Sequence, residues 1–207
     1  GSEMCIRDSV SCVYNPKAES AEKFAIQHRI ENYTDSLDEL TMLTDAVYIA
    51  SLHETHYEYA KYMLNNKKHV LCEKPAVLKK AQAEELYSLA KENNVVFMEA
   101  VKTAYCPGFH AMMAAAKSGK IGRIIDVEAA FSRLTPVNTR EYMAQDYNGS
   151  FLEFGSYVCM PVFELLGCGY DDVRFHSMRA VNGVDAYTKA VFSSVSYTHL
   201  TLPTNSR

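Results

Sequence analysis

From Val10 to Met98 the sequence alternates short apolar runs, most of them β-branched, with amphipathic stretches of helical length. That alternation admits few folds. Residues 10–14 form an apolar run stopped by Asn15-Pro16, which is strand followed by breaker. Residues 18–28 carry Ala21, Phe24, Ala25 and His28 at helical spacing. Ser36 with Glu39 three residues on predicts a capping box for a short helix. Residues 46–50 read as a buried strand, 55–65 as a helix and 69–72 as a strand stopped by Glu73-Lys74-Pro75. Residues 79–92 predict an amphipathic helix with Ala83, Leu86, Leu89 and Ala90 inward, and 95–98 one more strand. Strands apolar on both faces, separated by helices, belong to a parallel sheet covered on both sides. The expectation for residues 10–100 is therefore α/β, a doubly wound parallel sheet missing its opening.

After residue 100 the pattern changes. Residues 109–117 predict a Met- and Ala-rich helix, 124–131 a strand, 151–166 a long helix, and 173–179 and 186–192 two strands joined through a turn at Gly183. Strands joined by short turns imply an antiparallel sheet, so residues 101–194 are expected to form a partial α+β domain with a mainly antiparallel, incomplete sheet.

The two ends do not read as continuous with this pattern. Residues 4–9 can be encoded by ATG TGT ATA AGA GAC AG, and residues 195–200 by GTC TCT TAT ACA CAT CT. These strings are reverse complements over nearly their whole length and resemble a transposon end used to fragment DNA for sequencing. Residues 1–9 and 195–207 are accordingly expected to be extraneous scars.

Composition narrows the classes of function. With 48% hydrophobic and 22% charged residues and a net charge of -4, the chain has an ordinary globular composition and lacks the basic footprint of a nucleic-acid binder. No apolar run approaches the length a membrane helix requires, so neither nucleic acid nor membrane is an expected partner. Outside the terminal segment, Cys12, Cys72, Cys106, Cys159 and Cys168 show no paired or metal-ligand spacing. They read as small buried thiols of a reducing, cytoplasmic compartment, and no metal site is expected.

Two segments carry candidate chemistry. The first is His69-Val70-Leu71-Cys72-Glu73-Lys74-Pro75. A buried parallel strand delivers its C-terminal end to the crevice where open α/β sheets bind ligands, and a lysine there is costly unless used or paired. The plainer reading is that Lys74 reaches past the sheet edge to solvent. The second is Gly149-Ser150-Phe151-Leu152-Glu153-Phe154-Gly155-Ser156-Tyr157. On a helix, Glu153 and Tyr157 share one face, and a phenol beside an ammonium can serve as a base near neutrality. The plainer reading is again packing, because the chain has 14 tyrosines.

Residues 69–75 resemble the G-K-H-V-L-C-E-K-P signature of the glucose–fructose oxidoreductase / inositol dehydrogenase (Gfo/Idh/MocA) family. Ile49-Ala50-Ser51-Leu52-His53-Glu54-Thr55-His56 is similar to the family's I-x-T-P-N-x-x-H, with Ser51, Leu52 and His53 replacing Thr, Pro and Asn and His56 kept. Residues 149–157 are similar to G-G-A-L-L-D-I-G-x-H/Y, with Glu153 in place of Asp and Tyr157 at the position of the acid/base. That places the chain nearest the tyrosine-bearing dihydrodiol and D-xylose dehydrogenase branch. The likeness runs from Val10 to about Ser193.

The resemblance implies a Rossmann-type fold, with residues 10–100 a dinucleotide-binding domain lacking its first βα unit and residues 101–194 a partial substrate domain. It also implies an NAD(P)-dependent oxidoreductase moving hydride between a nicotinamide and a sugar, polyol or dihydrodiol hydroxyl carbon. It implies that Ser51, Leu52, His53 and His56 line the cofactor crevice and that Glu73 and Lys74 sit by the nicotinamide ribose. Tyr157 and Lys74 are then catalytic, the first taking the substrate proton and the second stabilising the alkoxide, and Glu153 positions substrate. For His53 and His56 taken singly, a helix-start capping or solvent role is the plainer alternative. Asn15 ends the first strand, where a carboxylate would grip an NAD ribose. Asn15 cannot repel a 2′-phosphate and Lys17 could pair with one, which favours NADP over NAD. The Gly-rich phosphate loop is expected ahead of Val10 and no glycine cluster here replaces it, so the chain by itself is expected to be inactive. The rivals are a nucleotide-sensing regulatory protein of the same fold and a purely structural role. The strands at 123–131 and 173–192 are the expected surface of a homo-oligomer.

Overall fold

The computed structural model describes residues 9–136, 139, 148–194 and 197–206, the last segment through its backbone. Most of the terminal segment 1–9, and residues 195, 196 and 207 of the other, lie outside the described residues. The chain divides into two compact units. The first holds residues 1–72 and 79–98; the second holds residues 73–78 and 99–207.

In the first unit, β1 (Cys12–Tyr14), α1 (Ala18–His28), β2 (Asn32–Thr34), α2 (Leu37–Leu43), β3 (Ala46–Ile49), α3 (His53–Asn65), β4 (His69–Cys72) and α4 (Lys80–Glu92) follow one another, and β5 (Phe97–Glu99) leads out of it. β1 and β2 pair in parallel, Cys12 opposite Asn32. β3 and β4 do the same, Ala46 opposite His69 and Ile49 opposite Cys72, and β5 neighbours β4. Helices turn small or aliphatic residues inward: Ala21 and Ala25 from α1, Ala60, Met63 and Leu64 from α3, Leu86 and Ala90 from α4. At 3.6 residues per turn these positions fall on one stripe, and the alanines let helix and sheet backbones approach closely.

Two helix boundaries in this unit have a local cause. Ser36 accepts a hydrogen bond from Glu39 N at 3.3 Å, which is half of the expected capping box. The reciprocal half is absent among the bonds described here: the Glu39 carboxylate instead takes the Thr34 hydroxyl, and Thr34 in turn accepts from Ser36 N at 3.0 Å. α1 ends where Arg29 turns left-handed, φ 56°.

The second unit contains a 3-10 turn (Lys102–Tyr105), α5 (Pro107–Lys117), β6 (Val127–Glu128), β7 (Phe131–Arg133), α6 (Ser150–Leu166), β8 (Asp172–Arg179), β9 (Asp185–Ser194) and β10 (Tyr197–Ser206). The strand expected over 124–131 is broken into β6 and β7 by Ala129-Ala130, which stand outside both. Strand order is β6-β10-β9-β8, with β7 also on β10. β8–β9 and β9–β10 are antiparallel, whereas β10 runs parallel to β6 and β7. Residues 197–206, expected as part of a scar, thus lie within the sheet.

Burial alternates along β9 so that Ala186, Thr188, Ala190 and Phe192 face inward, the period of a strand covered on one face. The cover is α6: Val158 and Val162 pack with Ala190 and Phe192, and Phe163 and Leu166 extend the contact. This packing fixes α6, and with it the placement of the candidate chemistry.

Candidate active site

The segment Glu73–Leu78 belongs to the same unit as α6, so Lys74, Glu153 and Tyr157 can be described together. Lys74 follows directly on β4, and its peptide bond to Pro75 is cis. Glu73 accepts from Lys74 N at 3.3 Å. Two residues on, Ala76 N donates to the Glu99 carboxylate at 2.9 Å. These local bonds hold the 73–78 turn.

From that turn the Lys74 ammonium donates to Glu153 Oε2 at 2.7 Å and to the Glu153 carbonyl at 3.0 Å. The two side chains are only 15% and 10% exposed, so the pair is shielded enough for its Coulomb attraction to exceed that of a surface ion pair. The Lys74 Nζ also stands 6.0 Å from the centre of the Tyr157 ring. Glu153 and Tyr157 occupy successive turns of α6, as the i, i+4 spacing predicts.

Tyr157 is half-buried, its ring stacked at 5.7 Å and 23° on Phe131 of β7. Phe131 in turn stacks on Phe154 at 4.5 Å and 11°, and the Arg133 guanidinium covers the same Phe154 ring at 5.3 Å. The shelf fixes the plane of the phenol.

Sequence reasoning paired Lys74 with Tyr157 and gave Glu153 to substrate. The structure brings all three together, with the short contacts of Lys74 made to Glu153. The aromatic shelf from β7 was missed, because nothing in the local pattern around Phe131 announces a stacking partner on a helix more than twenty residues away.

The N-terminus of α6 has an anchor that sequence reasoning also missed. Gly149 precedes the helix at φ 124° and supplies no side-chain cap. Instead Asp185, at the start of β9, accepts from Phe151 N at 2.8 Å and from the Thr188 hydroxyl at 2.7 Å.

In the first unit, Asn15 follows β1. Its Oδ1 accepts from Lys17 N at 2.9 Å, and its own amide N donates to Thr34 O at 3.2 Å. The neighbouring Tyr14 phenol is pushed up to about 12 by burial first and by its hydrogen bond with Tyr59 second, so it stays neutral under ordinary conditions.

After β3, Ser51 shares a hydrogen bond with the Thr55 hydroxyl at 2.7 Å. The His56 ring, fully buried, meets Ser51 O at 3.2 Å and lies edge-on to the nearly buried His53 at 5.6 Å. Neither imidazole offers an open face. Through its contact with Ser51 O, His56 braces the 51–52 turn, and Leu52 keeps 45% of its surface exposed.

That arrangement fits a dinucleotide: an exposed apolar side chain for a flat ring on a turn braced from behind, and at Asn15-Lys17 an amide and an exposed cation able to meet a phosphorylated ribose. Lys17 has no ion-pair partner among the described residues.

The described cysteines are all free thiols, but of the five expected to be buried only Cys72 is: Cys12 and Cys159 are intermediate, and Cys106 and Cys168 are exposed because they stand at the ends of α5 and α6. On α6 itself, burial pushes the Cys159 thiol up to about 11, which removes it as a nucleophile. Among the described residues no cluster of three His, Cys, Asp or Glu could hold a metal ion, and no helix is long and apolar enough to cross a membrane.

Residues 3–101 match the model of an oxidoreductase family with an NAD-binding Rossmann fold. The chain is 34% identical over 196 residues to scyllo-inositol 2-dehydrogenase (NADP(+)) IolU of Bacillus subtilis, covering 89% of this chain and 58% of that protein. It is 32% identical over 143 residues to trans-1,2-dihydrobenzene-1,2-diol dehydrogenase of Xenopus laevis, covering 67% of this chain and 43% of the relative. Among solved structures, an oxidoreductase from Bacillus cereus superposes with a TM-score of 0.79 at 25% identity, over 95% of this chain and 57% of the other. The chain spans about half the length of the curated relatives it matches. On this match and these likenesses, residues 3–101 are a Rossmann domain of the Gfo/Idh/MocA family of oxidoreductases.

Proposed function

We propose that the protein carrying this chain is a nicotinamide-dependent dehydrogenase acting on a CH–OH group, with a sugar, cyclitol or trans-dihydrodiol as substrate. The observation that carries the reading is the meeting of Lys74, Glu153 and Tyr157 in one partly shielded place. An ammonium there stabilises developing negative charge on a substrate oxygen. Tyr157 takes the substrate's hydroxyl proton, and Glu153 keeps the ammonium where it can act while offering carboxylate oxygens to neighbouring hydroxyls. When bound, the nicotinamide supplies the hydride chemistry, and the protein supplies orientation and electrostatics. Asn15, Ser51, Leu52 and Glu73 are the residues we assign to holding it, with His53 and His56 shaping the 51–52 turn.

NADP is favoured over NAD. Asn15 adds no negative charge at the end of β1, the exposed Lys17 is beside it, and the scyllo-inositol dehydrogenase relative bears NADP(+) in its name. The substrate class rests on that relative and on the dihydrodiol dehydrogenase. Free thiols suit a cytoplasmic setting. The sheet face turned away from α6, which carries Met178 of β8, 53% exposed, beside Tyr187 of β9, suits self-association.

The test is a fluorescence titration of the gene-encoded protein with NADPH and NADH. A turnover assay over inositols, aldoses and trans-dihydrodiols follows, with Tyr157→Phe and Lys74→Met alongside. Tighter NADPH binding and turnover abolished by both substitutions are expected. Binding without turnover on any of these substrates would instead make the protein a nucleotide sensor.

A further inference from the structure

The helix that carries Glu153 and Tyr157 does not cap itself. A helix leaves its first amide groups unsatisfied, and the usual remedy is a polar side chain at the residue before it. Here that residue is Gly149. Ser150, the next candidate, has its hydroxyl fully buried and without a hydrogen-bond partner among the described residues. The cap comes from β9: Asp185 Oδ2 takes the Phe151 amide at 2.8 Å.

Three further observations show a built contact. Thr188, itself 3% exposed, donates to the same Asp185 oxygen at 2.7 Å, and its hydroxyl lies 2.9 Å from that of Ser177 on β8. The chain of polar contacts therefore runs from the helix end across two strands. A Cβ on Gly149 would fall 1.9 Å from Asp185 Oδ1, so the glycine makes room for the carboxylate. One turn further along, Lys74 takes the Glu153 carbonyl at 3.0 Å. The first turns of α6 are thus held at Phe151 by Asp185 and at Glu153 by Lys74. A negative charge at this end also interacts favourably with the helix dipole.

We propose that Asp185 is a positioning residue for the reaction. Its carboxylate fixes the axial and rotational setting of α6, and so places the Glu153 carboxylate and the Tyr157 phenol against Lys74. The inference rests on the reading of Lys74 and Tyr157 as the reacting pair. Asp185 touches neither of them; it acts through the backbone of the helix. A small displacement of such groups lowers turnover out of proportion to any loss of binding.

The experiment compares Asp185→Ala, Asp185→Asn and Thr188→Val in the gene-encoded protein. It reads kcat, KM, NADPH affinity and amide hydrogen exchange at Phe151. Asp185→Ala is expected to lower kcat by about tenfold to a hundredfold, to leave NADPH affinity within about twofold, and to speed exchange at Phe151. Asp185→Asn keeps an oxygen acceptor and should restore most of the turnover. Thr188→Val, which removes only the support of the carboxylate, should move kcat in the same direction by less, and it decides the matter if Asp185→Ala does not fold.

Faster exchange at Phe151 with kcat unchanged would overturn the proposal, since the cap would then be structural only. Undiminished turnover in Tyr157→Phe would sink the dehydrogenase reading and the positioning role together. That failure is recognisable because exchange at Phe151 would still respond to Asp185.

Discussion

Lys74 Nζ lies 2.7 Å from Glu153 Oε2, across 79 positions of sequence, with both side chains largely withdrawn from solvent. Removing one member of such a pair leaves an uncompensated charge in a poorly solvated place, at about 3 kcal/mol. Replacing both with apolar groups of similar size avoids that cost. Glu153→Leu alone is therefore expected to destabilise the protein by about 3 kcal/mol, and Lys74→Met with Glu153→Leu by much less. Urea denaturation of the two single variants and the double one measures the coupling. Additive losses would show that the pair is open to water.

Tyr157 separates chemistry from packing. Its ring stacks on Phe131, and Phe keeps that contact while losing the hydroxyl. Tyr157→Phe should change stability by no more than about 1 kcal/mol yet lower kcat by about a hundredfold or more, the usual worth of a positioned acid/base. Stopped-flow turnover and a thermal melt on the same preparation check both halves. A large drop in melting temperature would make the phenol a packing element.

How much of this was legible before the fold was known depends on how local each cause is. α1 is legible in the sequence because Ala21 and Ala25 repeat at the helical period and Asn15-Pro16 marks the break before it. β2 was not anticipated: Asn32-Tyr33-Thr34 is three residues long and carries no apolar alternation, and only its pairing with β1 makes it a strand. Lys74, Glu153 and Tyr157 were named from their segments, but the ion pair of Lys74 with Glu153 needs tertiary structure. So does the cap of α6, where acceptor and donor stand 34 positions apart. The signal that was available is Gly149 itself, a glycine at a position where capping residues are usual, which points to something else supplying the acceptor.

Gly149 provides the next test. Its φ of 124° is one that side-chain-bearing residues rarely adopt, and its missing side chain leaves the space occupied by Asp185. Gly149→Ala must either strain the backbone or push the carboxylate away from Phe151 N. The expected loss is about 3 kcal/mol, combining backbone strain with a lost cap. Gly167, which closes the same helix, meets nothing within 4 Å of an added Cβ, so Gly167→Ala should cost less, through its φ of 79° alone. Denaturation midpoints of the two variants compare them directly; equal losses would mean that Asp185 yields without consequence.

The last prediction concerns acid. Lys61 of α3 reaches Glu85 of α4 at 2.6 Å, and Tyr57 donates to the other oxygen of that carboxylate at 2.5 Å. The hydrogen bond from Lys61, and then that from Tyr57, hold the Glu85 carboxyl below its ordinary value of 4.5, while Glu85 raises Lys61 above its ordinary value of 10.5. A depressed carboxylate stabilises the fold above its unfolded value and loses that contribution as pH falls through the folded one. A raised lysine contributes fully below its unfolded value and loses it only as pH rises through the higher folded one. Between those limits the contribution is flat. The melting-temperature gap between the native protein and Glu85→Gln should therefore be constant from about pH 6 to about pH 9. It should shrink as pH falls below 4.5. Because the groups are exposed, the gap should also narrow in high salt. A gap that widened in acid would show that this carboxyl is favoured in its protonated form, with Tyr57 and Lys61 no longer its donors.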